Sequence, residues 1–161
     1  MEIRRTEPCD LDTVMEIYDR ARLYMRENGN LNQWTEGYPG RELITEDMNN
    51  GYSHVCIAEG RIVAVFSFIR GTDPTYLNIY NGSWLNDEPY GVIHRIASDS
   101  HQKGVASFCI DWCYRQCRNI RIDTHEDNHV MQNLLIKNGF VKCGIIYLLN
   151  GAARVAFQKS E

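Results

Sequence analysis

No stretch of this chain is apolar for long enough to span a membrane, so no membrane-crossing helix is expected. Positive charge is not in excess either. The 17 Lys and Arg stand against 21 Asp and Glu, a formal net charge of −4, whereas nucleic-acid binding normally calls for a basic surface. The opening Met1-Glu2-Ile3-Arg4-Arg5 runs into Thr6-Glu7-Pro8 rather than an apolar segment. No secretory signal is therefore expected, and the cytoplasm is the expected compartment. Two nucleotide signatures are missing. Gly-x-Gly-x-x-Gly does not occur, and the Walker order fails because Lys103 precedes Gly104 and no Ser or Thr takes the magnesium position. A close Cys-x-x-Cys pair is missing as well. Of the 6 cysteines, Cys109, Cys113 and Cys117 recur four apart, a stripe on one helix face, while Cys9, Cys56 and Cys143 are scattered. A chain of 161 residues is long enough for a real core, so reduced structural thiols are expected rather than a disulfide framework.

What is present is an ordered succession of elements. Residues 2–5 read as a strand. Asp10 is an N-cap candidate for a helix over about 11–27 with Leu11, Val14, Met15, Tyr18, Ala21 and Met25 on its apolar face, and Asn28-Gly29-Asn30 stops it. A short helix over about 41–49 closes at Asn50-Gly51. Segments 52–58 and 61–69 alternate as strands around Glu59-Gly60, a tight-hairpin signal. Residues 71–89 are less regular, with a strand candidate over 75–80. A strand over 90–98, a helix over about 103–117 and a strand over 120–123 follow. Asp127 or Asn128 then caps a helix to Lys137, and strands over 140–148 and 153–158 are joined by Asn150-Gly151. The order is β-α-α-β-β-(β)-β-α-β-α-β-β. Its β-α-β portion implies a partly parallel sheet with helices packed against it. No boundary, repeat or low-complexity tract interrupts residues 1–161, so one domain is expected.

Two stretches carry chemistry. In the first, Ile93 to Ser98 leads through Asp99-Ser100-His101-Gln102-Lys103 into a helix opened by Gly104-Val105-Ala106. The first turn of a helix has unpaired backbone N–H groups and the positive end of the dipole, and Gly104 admits close backbone approach, so a phosphate or pyrophosphate is the natural guest. Alternatively, Gly104 and Ala106 are small only to let the helix approach the sheet. In the second, His125-Glu126-Asp127-Asn128-His129 matches His-Glu-x-x-His in letters. A zinc hydrolase needs both histidines on one helical face. Here the letters straddle a strand-to-helix junction at two strong caps, so no metal site is expected.

The two stretches together resemble the GCN5-related N-acetyltransferase (GNAT) superfamily. Its Gln/Arg-x-x-Gly-x-Gly/Ala landmark is matched by His101-Gln102-Lys103-Gly104-Val105-Ala106, with His101 in place of the leading Gln or Arg. Its Asn-x-x-Ala-x-x-Leu-Tyr-x-x-x-Gly-Phe landmark is matched by Asn128, Leu134, Gly139 and Phe140, with Met131 for the Ala and Leu135 for the Tyr. The resemblance covers nearly the whole chain. It implies a mixed α/β fold: a central, mostly antiparallel sheet with one splayed parallel strand pair, flanked by helices.

It further implies acetyl-coenzyme A as co-substrate and a primary amine, on a small molecule or peptide, as acceptor. Backbone N–H groups of Gln102, Lys103, Gly104, Val105 and Ala106 would take the pyrophosphate, with His101 beside them. Arg95, Ile96 and Ser98 would run along the pantetheine arm, and Asn128 would hydrogen-bond it. The implied activity is N-acetyl transfer by direct attack. The alternative is a GNAT-fold protein that binds acyl-coenzyme A with little or no catalysis. Attack needs a neutral amine, which makes His94 the base candidate, histidine being the side chain that titrates near neutrality. Leu135 cannot protonate a departing thiolate, so Tyr147, Tyr90 or solvent is the acid candidate. The aromatics Trp34, Tyr38, Tyr76, Tyr80 and Trp84, in loop-like segments, are candidates to contact the acceptor, cap the core or form a homodimer surface. Glu36, Glu46 or Asp87 would attract a cationic amine.

Overall fold

The computed structural model describes residues 1–35, 37–99 and 101–161. Glu36, one of the acidic candidates, lies outside the described residues, as does Ser100. The elements run in the order β1 (Glu2–Arg5), α1 (Leu11–Glu27), α2 (Arg41–Asn49), β2 (Ser53–Ala58), β3 (Arg61–Arg70), β4 (Gly91–Ser98), α3 (Val105–Cys117), β5 (Asn119–Thr124), α4 (His129–Lys137), β6 (Val141–Tyr147) and β7 (Ala153–Ser160). They build a 7-stranded sheet in the order β1-β2-β3-β4-β5-β7-β6. Every neighbouring pair is antiparallel except β4 with β5. No helix among the described residues is long and apolar enough to cross a membrane.

Strand alternation decides which residues face which helix layer. On β2 and β3, Val55 and Val65 pack with Val14, Ile17, Tyr18 and Ile44 of α1 and α2. Their neighbours Cys56, Ala64 and Phe66 face the other way, toward Cys109, Ile110 and Cys113 of α3 and Leu135 of α4. The cysteine stripe is thus core on one helix face. Burial pushes the Cys109 and Cys113 thiols well up, which keeps them protonated and unreactive.

One expectation needs correction and two are refined. Residues 75–80 do not form a strand. Pro74–Tyr76 is a single 3-10 turn capped by Asp73, and Tyr80 makes only an isolated bridge to Ile145. Asp10 holds the N-cap position of α1, but its side chain makes no cap bond to that helix. Its carboxylate accepts two bonds from Arg4 at 2.7 and 3.1 Å and one from the Glu7 amide at 2.7 Å, tying β1 to the turn before the helix. The choice between Asp127 and Asn128 falls to Asn128, whose side chain accepts from the Met131 amide at 3.0 Å.

One irregularity positions the site. β4 and β5 pair only at Gly91↔Ile120 and Val92↔Arg121, although both strands continue. The ladder between β3 and β4 steps from Ser67↔His94 to Val65↔Ala97, which leaves one extra residue on β4. Arg95 sits in this bulge at φ 52°, a left-handed conformation that side chains rarely adopt. The consequence shows in the core. Ile93 and Ile96 both pack toward α3, a same-face spacing that regular alternation forbids. Tyr18 Oη donates to the Arg95 carbonyl at 2.8 Å, and the Arg95 guanidinium donates to Asp47 Oδ2 at 2.7 and 3.0 Å, so both ends of the strained residue are held.

Candidate active site

Two cavities meet where β4 and β5 part. One, of about 650 Å3, lies among α1, the β4–α3 loop, the start of α3 and the start of α4. The other, of about 530 Å3, lies beneath the Trp34–Tyr38 loop and the β6–β7 hairpin. Met25, Ile96, Asn128 and Met131 line both.

The first cavity ends at the opening turn of α3. Gly104 holds the N-cap position at φ 79° with no side-chain cap bond to the helix. A Cβ placed there would meet no described atom within 4 Å, so space is left in front of the backbone. The contrast with α4 is informative. There Asn128 spends its side-chain oxygen on the first turn, whereas the α3 first-turn donors have no such partner among the described residues. Unpaired N–H groups at the positive end of a helix dipole, facing a cleft, form an anion cradle. Lys103 lines the same cleft and adds a positive charge.

The second cavity holds a polar cluster around His94. His94 Nε2 lies 3.0 Å from Asp73 Oδ2. Asp73 Oδ1 accepts from the Thr75 amide at 2.9 Å and the Thr75 hydroxyl at 2.7 Å. Burial pushes the Asp73 carboxyl up, but the bonds from His94 and Thr75 outweigh it and hold it at about 2. An ionised carboxylate only accepts, so Nε2 carries the hydrogen and neutral His94 keeps its lone pair on Nδ1. Beside this pair, the Tyr76 hydroxyl donates to Asp123 Oδ2 at 2.6 Å. Burial pushes the Asp123 carboxyl up, against the Tyr76 bond and the nearby His94 and Arg154 charges. An oriented imidazole in a half-enclosed cavity is a proton acceptor in search of a substrate.

Comparison with known proteins fixes the family. An acetyltransferase of the GNAT family from Streptococcus agalactiae 2603 aligns over 99% of this chain and 95% of its own, at 34% identity and TM-score 0.91. The chain belongs to the GNAT acetyltransferase family. A GNAT family acetyltransferase from Listeria monocytogenes 4b F2365 shares the fold at 17% identity and TM-score 0.73, over 99% of this chain and 94% of the other. So does the GphF GNAT-like decarboxylase in complex with isobutyryl-CoA, at 14% identity and TM-score 0.69, over 99% of each chain. No protein-family model and no curated protein matches the chain.

Set against the GNAT landmarks, the structure sorts the candidate residues. Ile96, Ser98, Gln102, Lys103, Gly104, Val105, Ala106 and Asn128 all line the first cavity. His101 does not. Its side chain is 83% exposed and its amide donates to Asp99 Oδ1 at 3.1 Å, so the departure from the landmark falls on a residue turned to solvent. Arg95 is also displaced, lining the second cavity with its guanidinium on Asp47. Asn128 reaches the cleft with its amide already committed, since Nδ2 donates to Gln33 Oε1 at 2.9 Å while the oxygen caps α4.

In the second cavity the structure brings together His94, Trp34 and Tyr38. Tyr147 lines neither cavity. It is half exposed, edge-on to Tyr80 at 5.4 Å, and both rings sit by the outer strand β6. Trp84 is structural: its indole donates to the Tyr76 carbonyl at 2.9 Å, and with Tyr90 it sandwiches the Arg121 guanidinium at 4.3 and 4.1 Å. Leu135 is fully buried in the core. His125 precedes α4 and His129 is its first residue, so the two histidines share no helical face.

Sequence reasoning missed Asp73, Asp123 and Arg154. Asp73 falls in the irregular stretch 71–89, just before the strand candidate, where nothing in the letters sets it apart. A signal for the other two was present: an acid in Ile120-Arg121-Ile122-Asp123 and a base in Ala153-Arg154-Val155-Ala156 are charges inside strands that are otherwise buried, and such charges need a reason.

Proposed function

We propose that this GNAT protein transfers the acetyl group of acetyl-coenzyme A to a primary amine by direct attack within a ternary complex. The observation that carries this reading is the meeting of the two cavities at the β4 bulge, with an anion cradle at one end and an imidazole–carboxylate pair at the other. The residues present fit the co-substrate: the α3 cap has no side chain, and the space in front of Gly104 is open.

When bound, acetyl-coenzyme A supplies a thioester carbonyl carbon for amine attack. The backbone N–H groups of residues 102–106 hold the pyrophosphate, and Lys103 adds attraction at the rim. Ile96 and Ser98, beyond the last β4–β5 pair, offer backbone to the peptide-like pantetheine arm. An N–H at about Ile96 stabilises the charge that develops on the carbonyl oxygen. His94 Nδ1 takes the proton of the attacking amine, and Asp73 fixes the imidazole tautomer and steadies its charge. Solvent protonates the departing thiolate, since Leu135 is buried and Tyr147 lies outside both cavities.

The test combines purified protein, acetyl-coenzyme A and a panel of polyamines, aminoglycosides, amino acids and peptides, read as release of the coenzyme A thiol and as the mass of the acetylated product. Amine-dependent release is expected. Coenzyme A binding by calorimetry without transfer to any amine would replace the enzyme with an acyl-coenzyme A-binding protein. His94→Ala is expected to lower turnover; unchanged turnover would strip His94 of its role.

A further inference from the structure

Arg154 is the unexplained charge of the second cavity. It is only 7% exposed, yet no carboxylate lies within 4.0 Å of it among the described residues. Its guanidinium donates to two main-chain carbonyls, Ala153 at 3.0 Å and Gln33 at 3.3 Å. Carbonyls satisfy donors but carry no net charge, and burying an uncompensated cation is costly. The other guanidinium on this cavity, Arg95, has its carboxylate in Asp47. The acids nearby are otherwise occupied: Asp73 holds His94 and Thr75, and Asp123 holds Tyr76. Arginine stays charged at any accessible pH, and its five donors are not exhausted by two carbonyls.

A buried cation that lines a cavity, makes no direct ion pair among the described residues and has only the more distant Asp123 carboxyl within electrostatic reach is complementary to an anion that arrives with the substrate. We infer that Arg154 receives the carboxylate of the acceptor, so that the acceptor is an amino-acid-like primary amine whose amino group is presented to His94. A carboxylate suits the site better than a phosphate. It is planar and singly charged, matching one guanidinium fork, whereas a dianion would face the Asp73 and Asp123 carboxyls in the same enclosure. Asp123, within electrostatic reach of both His94 and Arg154, connects the two ends of the acceptor site.

This inference rests on the acetyl-transfer reading, so its test has two arms. In the kinetic arm, the proteinogenic L-amino acids are compared as free acids and as their carboxamides. The wild-type protein is expected to favour the acid of its best substrate by about 10- to 100-fold in kcat/KM, the worth of a charge-assisted bond in a buried site. Arg154→Gln collapses the preference toward unity, mainly through KM. Arg154→Lys restores part of it, which also shows that the position tolerates substitution. Equal use of acid and amide, or an equal loss on both in Arg154→Gln, would overturn the assignment. The second arm needs no turnover. The free acids, but not their amides, are expected to raise the melting temperature of the wild-type protein and not of Arg154→Gln. If transfer fails with every amine while this selective stabilisation is seen, the enzyme reading falls and the carboxylate site stands. If transfer proceeds but acids and amides stabilise both proteins alike, the carboxylate site falls alone.

Discussion

Replacing Asp73 by Asn removes one charge from the second cavity while keeping the side chain's shape and an oxygen for the Thr75 amide. The Asp73 side chain is 14% exposed, so its ionisation is felt in the fold rather than screened by water. Its carboxyl lies at about 2 instead of the ordinary 3.8, and each pKa unit is worth about 1.4 kcal/mol. Ionised Asp73 therefore stabilises the folded state by about 2 kcal/mol near neutral pH. The sign follows from the direction of the shift. The folded pKa lies below the unfolded one, so the unfolded chain takes up the proton first. The stabilisation is complete above the unfolded value and is lost as pH falls through the folded value. Near pH 3 the same linkage leaves about 1 kcal/mol. Asp73→Asn lacks this contribution at every pH. Urea unfolding should show the variant less stable by about 2 kcal/mol near pH 7, with the gap roughly halved near pH 3. Amine-dependent turnover should fall by up to about 100-fold as His94 loses its orienting partner, the low end of what a general base contributes. A gap that stays the same across that pH range would refute the linkage, and full activity with a confirmed stability loss would confine Asp73 to a structural role.

Other perturbations test other parts. Gly104→Ala should cost about 1 kcal/mol, because its Cβ meets no described atom and only the left-handed φ opposes it; Gly104→Glu should fold as well but bind coenzyme A at least about tenfold more weakly by calorimetry, and retained affinity would dismiss the cradle. Asn128→Ala removes the α4 cap and the bond to Gln33, so urea unfolding should show a loss of about 1–2 kcal/mol, and an unchanged midpoint would mean that α4 needs neither. Tyr18→Phe deletes the hydroxyl that holds the Arg95 carbonyl; a stability loss of about 1 kcal/mol together with reduced kcat is expected, whereas a loss of stability with unaltered kcat would separate the bulge from catalysis.

The order of elements was legible because each announces itself locally. Leu11 to Glu27 carries a helical apolar stripe and stops at Asn28-Gly29, Glu59-Gly60 turns a hairpin with both residues at positive φ, and Asn128 caps its helix. The misreading of residues 75–80 has the same origin. Thr75, Tyr76 and Tyr80 suit a strand by propensity, but Asp73 and Pro74 start a turn that buries Tyr76 against Trp84 and Tyr90, and tertiary packing overrides propensity. The open first turn of α3 was legible for a related reason: backbone makes it, and backbone advertises its needs through a glycine and a helix start. The departure at His101 leaves that backbone in place, since the side chain there is exposed and does not line the cavity.

The second cavity could not be read in that way, because side chains distant in sequence make it. His94 meets Asp73 across 21 positions, and Tyr76 meets Asp123 across 47. The β4 bulge that borders this cavity is likewise hidden from sequence patterning: a bulge leaves composition intact and changes only which face each residue takes. In a regular strand Ile93 and Ile96, three positions apart, would point to opposite sides of the sheet. With the bulge, His94 and Arg95 line the second cavity, Ile96 borders both, and Ser98 lines the first. One strand thus serves as the wall between the two cavities, and the left-handed Arg95 falls where they meet. Held from one side by Tyr18 and from the other by Asp47, that residue ties the geometry of the second cavity to α1 and α2, elements that carry no GNAT landmark.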